Sequence, residues 1–124
     1  MIARFGVVQP SPAYAADATV ALDEALAEID RWNADRHTAG LHPVAVNAAL
    51  TIGPVIFGAV GDDTRLEYTV IGEPVNLAAK LDKHNKKSGT RALAARDAFA
   101  MALAQGYRPN ARRQTRRACH RCAR

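Results

Sequence analysis

Residues 53–81, GPVIFGAVGDDTRLEYTVIGEPVNLAAKL, decide the fold of this 124-residue chain. Two runs rich in β-branched and aromatic residues, 55–57 and 68–71, predict two strands. The polar segment 61–64 lies between the two runs and is typical of a turn that joins antiparallel strands. Pro74 lies two residues after Gly72, the last glycine of this stretch. The first turn of a helix tolerates proline at this position. The stretch therefore predicts a hairpin that leads directly into a helix.

The predicted helix after the hairpin runs from Glu73 to about Asn85. Asn76 and Lys80 are four residues apart, so both side chains project from the same face near the start of this helix. Free backbone N–H groups and the helix dipole favour an anion at that end, and an amide beside an ammonium can hold a triphosphate. A structural or merely solvated pair is the open alternative. The adjoining apolar stripe, which is expected to anchor the helix, consists of Leu77, Leu81 and His84.

The chain before this stretch predicts a strand, a long helix and a second strand. Alternation of apolar and polar residues over Met1–Val8 predicts the first strand. Ser11 followed by Pro12 has the form of an N-cap with proline at the first helical position. The helix is expected to extend to about His37 and to end at Gly40. Its predicted inner face consists of residues at helical spacing, namely Leu22, Leu26, Ile29 and either Asn33 or Trp32.

The apolar run 44–60 is typical of a strand that is buried on both faces. Pro54 is expected to interrupt this strand, because proline has no N–H to donate to a neighbouring strand. After the second helix, residues 91–94 predict a short edge strand, and residues 96–105 predict a helix that ends at Gly106. Together these elements predict an α+β fold.

Basic residues are concentrated at the end of the chain. The net charge is +5, but seven of the 17 basic residues lie in 108–124, which contains no acid. Residues 1–107 therefore hold 10 basic and 12 acidic residues, a net charge of −2. No run of about 18 apolar residues predicts a membrane span, and the N-terminus does not resemble a secretory signal. A cytoplasmic location is therefore expected, with 108–124 as a basic, disordered tail.

The motif YTVIGEPVNLA, from Tyr68 to Ala78, resembles the second half of the catalytic domain of class III adenylate/guanylate cyclases. The upstream pattern G-P-V-x-x-G-x-x-G resembles the same family, and the resemblance covers residues 1–107. It implies a ferredoxin-like α+β fold, with a mainly antiparallel sheet and helices packed on one face. It also implies a function, the conversion of a nucleoside triphosphate to a cyclic nucleotide and pyrophosphate.

The resemblance implies a site between two catalytic domains that pair head to tail. Thr69 falls where adenylate-making members carry Asp or Thr, so its hydroxyl is expected to bind the adenine edge of ATP rather than GTP. Asn76 falls on the asparagine that orients the ribose. Lys80 falls where the family more often has arginine, and lysine lacks the planar fork that holds a phosphate with two parallel hydrogen bonds. The predicted site is therefore Thr69 for substrate binding, with Asn76 and Lys80 for catalysis.

The two metal-binding aspartates of the family are expected to lie upstream of Met1. Mg²⁺ or Mn²⁺ is thus an expected cofactor whose ligands are not in this chain, and the chain is expected to be inactive alone. Its expected partner, in a homodimer or heterodimer, is a cyclase domain that supplies those aspartates. Because the closing strands of the family are not recognisable either, 1–107 is expected to be a partial catalytic domain, truncated at both ends. A non-catalytic dimerisation or regulatory module, or a degenerate cyclase remnant, is the alternative.

Other polar clusters leave their alternatives open. Adjacent Asp62 and Asp63 suggest either a metal site or a solvated hairpin tip, since a hard cation needs oxygen ligands from more than one segment. Cys119 and Cys122 form one C-x-x-C pair, which suits reduced thiols, a zinc site or a redox pair. The arginines of the tail attract nucleic acid or acidic lipid through charge, but without interleaved aromatic residues a nucleic-acid partner is not expected. Lys83–Lys87 indicates a solvated helix end.

Overall fold

The computed structural model describes residues 1–62 and 64–109, which form both helices and strands. In chain order the elements are α1 (Tyr14–Thr38), β1 (Ala48–Leu50), β2 (Ile56–Asp62), β3 (Arg65–Ile71), α2 (Glu73–Ser88), β4 (Ala92–Ala94) and α3 (Arg96–Ala104). The described part of the chain is therefore a mixed helix and strand structure, as the sequence predicts. None of its helices combines the length and apolar composition needed to cross a membrane. Most of the basic tail, including Cys119 and Cys122, lies outside the described residues.

The hairpin predicted within residues 53–81 is confirmed. β2 and β3 pair antiparallel, with Ile56 opposite Ile71 and Asp62 opposite Arg65. These two strands, called the ribbon below, contact each other far more than they contact any other element. The residues of β2 are exposed or half-buried. The prediction of a strand buried on both faces is therefore wrong for this part of the apolar run, because no layer of the described chain covers it.

The strands form two separate two-stranded sheets instead of one. β1 and β4 run parallel and pair Ala48 with Ala92 and Leu50 with Ala94. The ferredoxin-like, mainly antiparallel sheet implied by the resemblance is therefore not confirmed, since one sheet is parallel and each holds two strands. The apolar run 44–60 divides into β1 and β2 around Pro54, as expected for a residue that cannot donate to a ladder.

The predicted strand Met1–Val8 is absent, and residues 1–10 are exposed and consist of bends and irregular chain. A strand requires a neighbour for its backbone N–H and C=O groups, and the described residues provide none here. α1 begins at Tyr14, and no side chain caps it from the N-cap position, Ala13. Ser11 is therefore not the N-cap. Its Oγ accepts a hydrogen bond from the Ala13 N–H and donates one to Asp17.

The start of α1 is capped from the far end of the fold. Gln105 Oε1 accepts hydrogen bonds from the N–H groups of Ala15 at 2.7 Å and Ala16 at 3.1 Å. The Tyr107 hydroxyl donates to Asp23 at 2.6 Å. These contacts hold the end of α3 against α1, where the buried core cluster consists of Ala15, Ala16, Ala102 and Tyr107.

The inner face of α1 resolves the choice between Asn33 and Trp32. Asn33 is half-buried, whereas Trp32 is exposed. The Asn33 side chain donates to the Val44 carbonyl at 3.0 Å and accepts from the Val44 N–H at 2.7 Å. Asn33 therefore belongs to the inner face and fixes the loop that leads from α1 toward β1. The rest of that face is buried or half-buried as predicted, at Leu22, Leu26 and Ile29.

α2 packs its inner face on β1 and β4. The buried residues of this face are Pro74, Leu81 and Asn85. Asn85 is fully buried: its Nδ2 donates to the Ala48 carbonyl at 2.7 Å, and its Oδ1 accepts from the Thr90 hydroxyl at 2.8 Å. One amide therefore joins the end of α2 to the start of β1 and to the segment that leads into β4.

Candidate functional site

A close contact between two turns positions the predicted site. Gly53 has φ +148°, and a Cβ there would lie 2.7 Å from Pro74 Cγ. A Cβ on Gly72, which joins β3 to α2, would lie 2.9 Å from the Pro54 carbonyl oxygen. Glycine permits this approach because it has no Cβ. The Thr51 hydroxyl also donates to the Pro74 carbonyl at 2.9 Å, so the turn before β2 is held against the first turn of α2.

Asn76 and Lys80 are exposed on α2. At 3.6 residues per turn their side chains are separated by about 40° around the helix axis, and Asn76 points away from the side that carries buried Asn85. Within the described residues, neither side chain has a hydrogen bond or ion pair with the protein. Both groups are therefore available to a ligand on the solvent side of α2.

Thr69 lies within β3 and is half-buried. It pairs with Gly58 of β2, and directly opposite residues of antiparallel strands project to the same face. A Cβ built on Gly58 meets no atom within 4 Å, so the Thr69 side chain borders open space. The next pair on this face is Ile56 and Ile71, both exposed. Thr69 thus offers a hydroxyl beside an open apolar surface.

The three predicted site residues lie on two consecutive elements that meet at Gly72. A hydroxyl beside an apolar surface suits the edge and the face of a nucleobase. An amide and an ammonium suit ribose oxygens and phosphate, because the amide both donates and accepts and the ammonium donates with a full positive charge. Asn76 and Lys80 are exposed and Thr69 is half-buried, so exclusion of water from these groups requires a second surface placed over them.

The ribbon exposes large apolar and aromatic side chains on both of its faces. The exposed fractions are 74% for Ile56, 55% for Val60, 75% for Tyr68 and 53% for Ile71. Tyr68 stacks on Phe57 with ring centroids 5.8 Å apart, and the Arg4 guanidinium lies 3.4 Å from the Phe57 centroid. A two-stranded hairpin is marginally stable by itself in water, and exposed apolar patches mark interaction surfaces. The ribbon is thus the part of the described chain that most favours a partner.

The contacts of Asp62 favour the hairpin-tip interpretation. Its Oδ1 accepts hydrogen bonds from the Thr64 N–H at 2.9 Å, the Thr64 hydroxyl at 2.5 Å and the Arg65 N–H at 3.1 Å. These bonds lower the pKa of Asp62, the Thr64 hydroxyl most of all. Asp63 lies outside the described residues. Across residues 1–62 and 64–109, no group of three or more His, Cys, Asp or Glu side chains is placed to hold a metal ion.

Thr64→Ala is expected to raise the pKa of Asp62 toward its ordinary value, because the Thr64 hydroxyl is the largest cause of the lowering. Titration of the Asp62 carboxyl carbon by NMR measures this change. Since the folded pKa is lowered, the turn's contribution to stability is complete above the ordinary aspartate pKa, about 3.9. It is lost as the pH falls through the lowered value. Thr38→Ala, which removes a hydroxyl bonded to the α1 backbone, is the control, and an Asp62 pKa equal in all three proteins contradicts the prediction.

The cluster Lys83–Lys87, whose charge pattern indicates a solvated helix end, lies in part on the same helix face as the predicted site, and this alignment is not part of the sequence prediction. Lys80, Lys83 and Lys87 are exposed, and with Asn76 they fall within about 60° of one another around the helix axis. We call Lys80, Lys83 and Lys87 the lysine face. Their spacing, three and seven residues after Lys80, is a signal that the sequence alone contains.

Part of the chain is similar to an adenylate cyclase. Adenylate cyclase 1 of Rhizobium meliloti (strain 1021) is 33% identical over 66 residues, which is 53% of this chain and 10% of that protein. An uncharacterized protein of Mycobacterium tuberculosis is 43% identical over 72 residues, 58% of this chain and 12% of that protein. An uncharacterized protein of Mycobacterium bovis is 34% identical over 94 residues, 68% of this chain and 18% of that protein.

The chain spans only about a tenth to a fifth of the length of these relatives. No protein-family model matches it, and no solved structure does. The similarity therefore supports a relation to cyclases over a segment.

Proposed function

We propose that the chain forms the purine- and ribose-binding wall of a class III adenylate cyclase, which converts ATP to cyclic AMP and pyrophosphate for intracellular signalling. Thr69 binds the adenine edge, Asn76 orients the ribose and Lys80 binds the phosphates. The observation that carries the proposal is the exposure of Asn76 and Lys80 on one helix face, immediately after the strand that contains Thr69. The partial similarity to a protein named Adenylate cyclase 1 supports it.

The adenine side of this wall rests on the open face of the ribbon. Gly58 leaves room beside Thr69, and exposed Ile56 and Ile71 give the apolar surface on which a base can lie. A threonine hydroxyl both donates and accepts, so it can pair with the amino group or a ring nitrogen of adenine. Recognition of the edge and burial of the ring are thus served by one strand pair.

The ribose and phosphate side rests on α2. The Asn76 amide holds a ribose hydroxyl in the orientation from which it attacks the α-phosphate, which replaces a chance encounter by a fixed geometry. The Lys80 ammonium lies one helical turn further on and offsets the negative charge that builds on the phosphate oxygens during displacement. Because lysine is a point charge and not a planar fork, this contact fixes the phosphate less tightly than arginine does.

The described residues do not fit the divalent ions that the resembled reaction uses. They contain no cluster of three or more His, Cys, Asp or Glu side chains placed to hold a metal ion, and Asp62 Oδ1 already accepts three hydrogen bonds within the hairpin turn. Mg²⁺ or Mn²⁺ is therefore assigned to a second cyclase domain, which closes over the open face of α2. The exposed apolar ribbon is a surface through which that domain can pair.

The purified chain is expected to form no cyclic AMP from Mg-ATP or Mn-ATP, because the metal ligands of the reaction lie on the partner. Chromatographic detection of cyclic AMP over several hours measures this, with an intact cyclase domain as the positive control. Addition of a cyclase domain that carries the two metal-binding aspartates is expected to restore formation. Turnover by the chain unaided would overturn the assignment of the metal ions to a partner.

A non-catalytic module that pairs with an intact cyclase is the second candidate, and the exposed apolar side chains of the ribbon favour it. The two functions differ in whether the activity of the pair depends on contacts between this chain and the nucleotide. A catalytic wall requires Asn76 for the activity of the pair, whereas a regulatory module changes the rate of an intact cyclase equally well with Asn76→Ala. Co-purification with an intact cyclase, followed by rate measurements with both forms of the chain, separates them.

A further inference from the structure

No lysine of the lysine face forms an ion pair within the described chain. Four ion pairs form among the described residues, and none involves Lys80, Lys83 or Lys87. Lys86 on the same helix is different, because its ammonium lies 3.3 Å from the Asp82 carboxylate. Three positive charges therefore follow one another along one side of α2 without an acid between them.

Helix stability does not account for this arrangement. Like charges three and four residues apart on a helix repel each other, so Lys83 is unfavourably placed against both Lys80 and Lys87. The helix dipole favours cations only within the last turn, which includes Lys87 and leaves Lys80 and Lys83 in the middle of the helix. A bound polyanion removes the repulsion at all three positions.

We infer that Lys83 contacts the terminal phosphates of the nucleotide and makes the α2 face select triphosphates over monophosphates. This inference rests on the proposed function, which places the ribose at Asn76 and the first phosphates at Lys80. Lys83 is a contact residue added to that site. The ligand it selects is a chain of at least two phosphates beyond the one bonded to the ribose.

The dimensions of the helix agree with this placement. From Asn76, Lys80 lies about 6 Å and Lys83 about 10 Å further along the axis. A triphosphate that runs parallel to the axis therefore meets one ammonium near its start and another near its end. A monophosphate at the ribose reaches Lys80 alone. The phosphate chain and the lysine face thus match in direction and in sign of charge.

The test measures equilibrium binding of ATP and AMP to the full chain at low ionic strength, by competition with a fluorescent adenine nucleotide. Lys83→Gln is expected to weaken ATP binding about tenfold, the size of one charge-assisted contact at an exposed site, and to leave AMP binding unchanged. Lys86→Gln is the matched control, since it removes the same charge from the same helix outside the lysine face. It is expected to change the ATP to AMP affinity ratio less than twofold.

Equal losses of ATP affinity in Lys83→Gln and Lys86→Gln would overturn the inference, because ATP affinity would then depend only on the net charge of the chain and not on a contact at Lys83. An ATP to AMP ratio unchanged by Lys83→Gln overturns it as well, while ATP binding that still depends on Asn76 leaves the proposed function standing. If the wild-type chain binds no adenine nucleotide, the proposed function is wrong independently of the role of Lys83. Direct titration with inorganic tripolyphosphate then decides the inference: a difference between the two variants supports a phosphate-binding face, and no binding or no difference overturns it.

Discussion

Asn85→Ala is expected to lower the free energy of unfolding by about 3 kcal/mol. The substitution removes a fully buried amide, so the Ala48 carbonyl loses its donor and the Thr90 hydroxyl loses its acceptor. It also leaves a cavity between α2 and β1. Because small domains are stable by only about 5–15 kcal/mol, this one side chain accounts for a large share of the total. Urea denaturation followed by circular dichroism measures the change.

Asn76→Ala is the matched control for stability. It makes the same chemical change on the same helix at an exposed position, and it is expected to alter the free energy of unfolding by less than about 0.5 kcal/mol. Equal denaturation midpoints for wild type and Asn85→Ala would show that the buried hydrogen bonds do not stabilise the fold. Equal losses in the two variants would show that any shortened side chain on α2 is disruptive.

The same Asn76→Ala substitution is expected to reduce cyclic AMP formation about 100-fold or more when the chain is paired with a complementing cyclase domain. In the proposed site the removed amide is a positioned donor at the reacting group, and loss of one such group costs a factor of about 10² to 10³. The complementing domain keeps its metal-binding aspartates and has its own ribose-orienting asparagine replaced. All product then depends on the wall that this chain supplies.

Lys86→Ala serves as the control for that measurement, since Lys86 is exposed on α2 outside the lysine face. It is expected to leave the rate within about twofold of the wild-type pair. A pair with Asn76→Ala that is as fast as the wild-type pair contradicts the catalytic role of Asn76. Because Asn76→Ala is expected to keep its stability and Asn85→Ala is expected to lose it, unfolding and loss of function can be told apart.

The elements that depend on local signals were predictable from the sequence. Alternation and turn residues predicted the strand that is observed as β3 (Arg65–Ile71), and proline after glycine marked the start of α2 at Glu73. The spacing of Asn76 and Lys80 put both on one helix face because the helix period is fixed. Their roles stay predictions.

Contacts between distant segments were not predictable. Gln105 caps a helix that begins about 90 residues earlier, and nothing in the local sequence around Ala15 indicates an acceptor there. Asn85 follows Leu81 by four residues on the apolar stripe, so its burial follows from the pattern, but its partners depend on how β1 lies against α2. The exposure of the ribbon was missed for a related reason: a continuous apolar run indicates that a strand is covered, and does not say which chain covers it.

Gly72 is the single covalent connection between the strand that carries Thr69 and the helix that carries Asn76 and Lys80. In the proposed site, the group that binds the base and the groups that bind the ribose and phosphates therefore lie on two consecutive elements, and the backbone conformation of Gly72 sets the distance between them. Gly53 packs closely against Pro74, and the Pro54 carbonyl oxygen lies close to Gly72. A bulky side chain introduced at Gly53 would collide with Pro74, and it is therefore expected to change the distance between Thr69 and Asn76 from outside the proposed site.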